Sequence, residues 1–412
     1  MTEQTESQII GLRHGAVPYH PSRMMRLLLS LAPAIRRGAL TVVLPDGRSH
    51  RFDGTEPGPH GVLYVRNDRV ARRMLFGGKL GFCESYLDGD WTSPDVPALF
   101  EMALLNEAEL DRAMNGKAWM RAVNFLLHAA RPNTKGGSKR NIAYHYDLGN
   151  SFYERWLDPS MTYSAAIFAD LDKAEPLDAA QERKYAQIAR RMDLRAGHHV
   201  LEIGCGWGGF AEYAAGTVGA RVTALTISRA QHDYAVERMR RAGLSDRVEI
   251  RLQDYRDVTE QFDRIASIEM FEAVGERYWP VFFRSLGDRL KPGGKAALQI
   301  ITIAEEHFDS YRRGADYIQR YIFPGGMLPS PARLQSEIEL AGLRYEGAKG
   351  YGLHYARTLD HWQENFQAAW PVLETQGFDR RFKRMWEQYL WYCAAGFRVG
   401  TIDVLHVGLS KG

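Results

Sequence analysis

The sequence predicts an α/β protein in which a doubly wound parallel sheet follows a smaller α+β domain. Three observations predict it. Strand-like and helix-like segments alternate from about residue 199 onward, which is the pattern of βαβ units. A glycine-rich run, Gly204-Cys-Gly-Trp-Gly-Gly209, comes directly after the first of those strands and opens a helix. The composition, 45% hydrophobic and 25% charged over 412 residues, is that of a folded globular chain long enough for two or three domains. It excludes disorder, collagen and a small disulfide scaffold.

In chain order, Leu40–Leu44 and Ser49–Phe52 read as two strands joined at the turn Pro45-Asp46-Gly47. Gly61–Val65 reads as another strand, with helical patterns around Arg66–Phe76 and Val96–Asn106. A small amino-terminal domain is therefore expected over residues 1–105. Apolar residues recur at helical spacing from Asn106 to Ala130, then stop at the loop formers Arg131-Pro-Asn-Thr-Lys-Gly-Gly-Ser138. Residues 106–140 are expected to be a helical linker and 141–412 the main domain.

Within the main domain the expected strands are Val200–Ile203, Arg221–Leu225, Val248–Leu252, Arg264–Ile268 and Lys295–Ile301. Helices are expected after the glycine run to about Thr217 and from Arg229 to Ala242. No internal repeat is present.

The glycine run fits two nucleotide templates. Gly204, Gly206 and Gly209 match the dinucleotide fingerprint, which calls for an acid at the end of the next strand to bind a ribose. That strand ends Ala224-Leu225-Thr226, without a carboxylate. With an acid, Glu202, two residues before the first glycine, the run instead resembles the nucleotide loop of S-adenosylmethionine-dependent methyltransferases.

Four further strings accompany it: Tyr144-His-Tyr-Asp-Leu-Gly-Asn150, Trp156-Leu-Asp-Pro-Ser-Met-Thr-Tyr-Ser164, Leu225-Thr-Ile-Ser-Arg-Ala-Gln231 and Tyr321-Ile-Phe-Pro-Gly-Gly-Met-Leu-Pro-Ser330. Together they resemble the cyclopropane fatty acid synthase and mycolic acid methyltransferase family over roughly residues 140–400. The resemblance implies a class I methyltransferase, Rossmann-like sheet with helical lipid-site insertions, and S-adenosyl-L-methionine as methyl donor. It implies cofactor contacts at Tyr163, Ser164, Gly204, Gly206, Gly208, Thr226, Gln231 and Asp254. Thr226 and Gln231 would bind the ribose in place of the missing acid. The local alternative for Asn150 and Ser228 is helix capping.

The implied acceptor is the cis double bond of a phospholipid acyl chain. Attack on the sulfonium methyl leaves a carbocation, which carboxylates or aromatic faces must stabilise before a proton is lost. In the family a bound bicarbonate is thought to take that proton and close a cyclopropane ring. Its ligands correspond here to Ala165, Glu272, Gln299, Ile301 and Tyr355. Ala165 replaces the usual cysteine, Gln299 the usual histidine, and Ala273 the histidine after Glu272. Neither Ala165 nor Gln299 titrates near neutral pH, which puts bicarbonate in question and leaves a ring and a methyl-branched alkene both open. Aromatic residues of the carboxy-terminal half are expected to be mostly core, with a few lining an acyl tunnel whose mouth is Pro324-Gly325-Gly326.

Residues 1–140 hold 19 Lys or Arg against 14 Asp or Glu, and Arg23, Arg26, Arg36 and Arg37 fall in a stretch without acids. That stretch is expected either to meet an anionic membrane surface or to be a solvated face. No nucleic-acid motif accompanies it. The three cysteines, Cys83, Cys205 and Cys393, suit neither a disulfide framework nor zinc, and fit a reducing cytoplasm. No metal is expected, and no apolar stretch is long enough to span a bilayer. The expected location is cytoplasmic, at the inner membrane face, with unsaturated phospholipid as partner and the choice between monomer and homodimer open. The competing functions are methylation of a soluble small molecule and lipid binding without catalysis.

Overall fold

The computed structural model describes residues 19–115 and 148–412. The chain divides into two compact units, Met1–Pro132 and Asn133–Gly412.

In the first unit, strands β1 (Arg37–Val43), β2 (Ser49–Asp53), β3 (Glu56–Val65) and β4 (Trp91–Thr92) form a sheet in the order β2-β1-β3-β4. The expected turn joins β1 to β2: Gly47 has φ +86°, a conformation open to glycine, and its N–H donates to the Leu44 carbonyl. Helix Val96–Leu105 ends at the buried Asn106, whose Oδ1 accepts from the Arg36 and Arg37 amides and whose Nδ2 donates to the Arg37 carbonyl. One side chain thus fixes where β1 begins. The helical pattern read around Arg66–Phe76 does stop there: within the span Arg69–Leu87 the backbone leaves the helical region at Gly78, where φ is +55° and ψ −141°, and the chain folds back so that a Cβ on Gly81 would lie 2.0 Å from the Arg73 carbonyl oxygen. Buried Gly81, Cys83, Tyr86 and Leu87 hold the second half against the core, so the glycine ends one helical stretch and a second begins after it. The expected linker is described only in its first part, as helix Glu107–Asn115; the remainder, and residues 144–147 of the Tyr144–Asn150 string, lie outside the described residues.

The second unit carries a seven-stranded sheet of β5 (His199–Ile203), β6 (Arg221–Thr226), β7 (Val248–Leu252), β8 (Phe262–Ile268), β9 (Leu290–Ile303), β10 (Arg344–Gly350) and β11 (Ile402–Ser410), in the order β10-β11-β9-β8-β5-β6-β7. The strands read from sequence are β5 to β9, and their mutual pairing is parallel as expected. The sheet is nevertheless mixed, because β11 runs antiparallel to both β9 and β10. Neither added strand follows a βαβ rhythm: β10 is polar and glycine-containing, and β11 comes after two long helices, Gly352–Thr375 and Arg380–Val399.

Apolar clusters cover both faces, which is why β5, β8 and β9 carry near-continuous apolar runs. Leu201, Ile203, Leu298 and Ile300 belong to the same cluster as Phe282, Phe283 and Leu286. Val200, Val222, Ala224 and Ala297 belong to another with Ile188, Phe210 and Ala214. The chain leaves β5 for β6 on one side, while β8 pairs with its other side, so the carboxyl end of β5 is the switch point of the sheet. Among the described residues no helix is long and apolar enough to cross a membrane.

Candidate active site

The glycine run turns at that switch point. Gly204, Gly206 and Gly208 have φ of +84°, +53° and +85°, which side chains with a Cβ rarely adopt. The Gly204 and Cys205 amides both donate to the Leu225 carbonyl, tying the turn to the end of β6. A Cβ placed on Gly204 would come within 2.6 Å of Met270 Cγ, whereas one on Gly206 would meet nothing within 4 Å among the described residues beyond its chain neighbours. Gly206 is therefore where backbone faces open space, and this turn fits an adenosyl cofactor.

Asn150 holds the turn from outside. Its Oδ1 accepts from Trp207 Nε1 at 2.8 Å, and its Nδ2 donates to the Ala230 carbonyl. Ser228 caps helix Arg229–Arg241 by accepting from the Gln231 amide. Thr226 Oγ1 donates to Gln231 Oε1 at 2.9 Å, so the two residues implied for the ribose stand together at the end of β6. Gln253 N donates to the Thr226 carbonyl, which brings Asp254 to the same edge. Asp254 itself is hydrogen-bonded by the Arg256 guanidinium, which holds its carboxyl below the usual range. Ile227, between Thr226 and Ser228, is 80% exposed and offers an apolar face there; sequence reading passed over it.

Tyr163 and Ser164 are on the segment leading to Ala165, and the Tyr153 ring lies 5.3 Å from Tyr163 and 5.1 Å from Trp207 of the glycine turn. The Tyr163 hydroxyl shares a 2.8 Å hydrogen bond with Tyr389, and its ring lies 5.1 Å from Trp362 and 6.5 Å from Phe323. Ser164 Oγ accepts from the buried Lys184 ammonium at 2.7 Å. Burial lowers that lysine's pKa to about 7.

The positions implied for an anion do converge, but on a residue the sequence reading did not single out. Glu269 follows β8 directly. Its Oε1 accepts from the Ala165 amide at 2.8 Å and from Gln299 Nε2 at 2.6 Å, and its Oε2 accepts from the Tyr355 hydroxyl at 2.5 Å. Ile301, the remaining amide of the set, donates to Glu272 Oε1 at 2.6 Å. The donors implied for bicarbonate are thus spent on the chain's own carboxylates, and the residues present do not fit that anion.

Glu269 and Glu272 are unequal neighbours. Burial raises the pKa of both, and the charge of Glu269 raises Glu272 further, to about 8. Glu269 accepts from three donors on Ala165, Gln299 and Tyr355, which stabilise its anion, whereas Glu272 is held by backbone amides alone and its Oε2 has no partner among the described residues. The negative charge therefore rests on Glu269 and the proton on Glu272. Aromatic rings continue from this pair: Tyr355 stacks on Phe397 at 4.5 Å and meets Trp362 edge-on at 6.0 Å, and Phe323 lies 6.0 Å from Tyr389. Of the aromatic residues expected in the core, Tyr317, Trp362, Phe366, Trp386 and Tyr389 are buried. The loop Pro324-Gly325-Gly326 adjoins the site, since the next amide, Met327, donates to the Glu272 carbonyl.

The sequence profile of the mycolic acid cyclopropane synthetase family matches residues 134–407. The chain belongs to this family. It is 40% identical over 374 residues to the tuberculostearic acid methyltransferase UfaA1 of Mycobacterium tuberculosis, covering 89% of this chain and 86% of that protein. It is 37% identical over 352 residues to the cyclopropane-fatty-acyl-phospholipid synthase of Escherichia coli K12, covering 85% of this chain and 88% of that one. Among solved structures, mycolic acid cyclopropane synthase CmaA1 complexed with SAH and CTAB matches with a TM-score of 0.62 and 29% identity, over 68% of this chain and all of that one. The fold is that of the class I methyltransferases.

Proposed function

We propose that this protein transfers a methyl group from S-adenosylmethionine to the cis double bond of an unsaturated phospholipid acyl chain. The observation that carries it is the meeting of two features at one sheet edge. The open glycine turn after β5 and the carboxylate and aromatic cluster after β8 stand at the carboxyl ends of adjacent parallel strands. Family membership and the likeness to fatty-acyl methyltransferases support the same reading.

When bound, the cofactor supplies an electrophilic methyl on sulfur. The chain's residues supply the remainder. The backbone at Gly206 leaves room for the nucleoside, Thr226 and Gln231 offer hydroxyl and amide groups to a ribose, and Ile227 offers an apolar face to a base. Tyr163, Trp362 and Phe323 present aromatic faces to a chain that becomes positively charged, and Glu269 places a negative charge beside them. Little of this requires a base before attack; it requires alignment away from water.

Contact with an anionic membrane surface belongs to the same proposal. Arg23 and Arg26 are exposed on the short helix Arg23–Leu29, whereas Arg36 and Arg37 both pair with Glu56 and carry less net charge outward. Incubating the purified protein with methyl-labelled cofactor and dioleoyl phosphatidylglycerol vesicles tests the reading. Label in the acyl chains, absent with saturated lipid, is expected. Label confined to headgroups or to water-soluble products overturns it.

A further inference from the structure

The cluster around Glu269 answers a question that its donors raise: what they are for if no dissolved anion fits. We infer that Glu269 is a built-in substitute for that anion, a catalytic carboxylate that accepts the proton ending the reaction, so that turnover needs no bicarbonate. The inference rests on the methyl-transfer reading above.

Several independent features point the same way. Glu269 holds its carboxylate on a backbone with φ +50°, a conformation that costs a residue bearing a Cβ roughly 1–2 kcal/mol and glycine almost nothing. Strain of this kind, held in place by surrounding structure, is a mark of functional sites. Ala165 carries no atom beyond Cβ and donates its backbone amide to Glu269 at 2.8 Å. Gln299 donates without a charge of its own, and its other end is fixed by His406 Nε2 at 2.7 Å. The two departures at Ala165 and Gln299 therefore form one set with Glu269: each makes sense beside a carboxylate that is part of the chain.

The chemistry balances with this carboxylate alone. The π electrons of the double bond form a bond to the methyl carbon while the carbon–sulfur bond breaks and its pair stays on sulfur. The other alkene carbon becomes cationic. Glu269 then takes one proton, and the freed C–H pair closes the ring or, after a hydride shift, forms a new double bond. The proton leaves to solvent before the next cycle, and no further reactant is consumed.

The test compares the wild-type chain, Glu269→Gly and Glu269→Gln in buffer freed of carbon dioxide, with and without added bicarbonate. The wild-type rate should be unchanged by bicarbonate. Glu269→Gly relaxes the backbone and empties the space; it should lose on the order of 100-fold or more, the usual share of a general base, and recover in part when bicarbonate is added. Glu269→Gln should be equally slow and unrescued. Binding of adenosylhomocysteine, measured by calorimetry, should be the same in all three and reports that each is folded. Carbon-13 NMR of labelled bicarbonate should show binding to Glu269→Gly and none to wild type. A wild-type rate that falls when bicarbonate is removed, labelled bicarbonate bound to wild type, or full activity of Glu269→Gly without bicarbonate each overturns the inference. If wild type methylates no acyl chain at all, the methyl-transfer reading fails, while the bicarbonate-binding comparison still decides what fills the cluster.

Discussion

His406 Nε2 and Gln299 Oε1 share one hydrogen bond of 2.7 Å, and that bond sets which end of the Gln299 amide faces Glu269. An amide oxygen only accepts, so Nε2 of His406 carries the proton and the Gln299 nitrogen is left to donate. Burial holds His406 neutral by lowering its pKa from 6.5 to about 3. It acts through Gln299 and is a positioning residue.

Replacing His406 by alanine leaves a buried amide oxygen without its donor, a cost of about 1–3 kcal/mol. Urea unfolding of His406→Ala should show that loss, and kcat should fall with little change in KM. Because the folded state resists protonation that the unfolded chain accepts, wild-type stability present above pH 6.5 is lost progressively as pH falls toward 3. His406→Gln should restore much of kcat and lack this share of the acid dependence.

Glu272 gives the opposite sign. Its folded pKa is raised from 4.5 to about 8, so its unfolded form releases a proton that the native form keeps. The resulting stability is complete below 4.5 and is lost as pH rises through about 8. Glu272→Gln keeps an acceptor for the Ile301 amide and cannot ionise. Its stability should therefore be flatter than wild type between those limits, by a slope of about one proton; identical pH profiles would refute the assignment of the proton to Glu272.

Tyr355 reaches Glu269 from helix Gly352–Thr375, with no atom but its hydroxyl making the bond. Tyr355→Phe retains the ring against Phe397 and deletes one donor to a charged acceptor, about 1.5–3 kcal/mol. Turnover should drop roughly 10- to 100-fold by that same energy. Affinity for adenosylhomocysteine should be unaffected, since Tyr355 stands with the β8 cluster and not at the glycine turn. Calorimetry beside single-turnover rates checks both halves.

The parallel strands were legible because each is buried on both faces and reads as an apolar run between helices. β11 was not, since its partner β9 is chosen by the tertiary fold after two helices rich in aromatic residues. The glycine turn and the Thr226–Gln231 pair were legible for a local reason: backbone conformation and short-range spacing fix them. Glu269 was overlooked for a nonlocal one. Its donors come from Ala165, Gln299 and Tyr355, scattered over nearly 200 positions, and nothing in the string Ile268-Glu-Met270 announces them. The departures at Ala165 and Gln299 were visible signals, and they gain meaning only when the carboxylate between them is seen.

Gly206 provides the sharpest test of where the cofactor lies. Its φ of +53° disfavours any Cβ by roughly 1–2 kcal/mol, yet among the described residues, its chain neighbours aside, no atom stands within 4 Å of where that Cβ would go. Packing alone would tolerate Gly206→Ala apart from this backbone term, so the melting temperature should fall by only a few degrees. A nucleoside resting on the turn would meet the methyl directly, and adenosylhomocysteine should bind at least about tenfold more weakly, the equivalent of about 1.4 kcal/mol. Gly204→Ala makes the contrast, because its Cβ collides with Met270 and should destabilise the fold itself. Should Gly206→Ala bind the nucleoside as tightly as wild type, the cofactor does not sit on this turn.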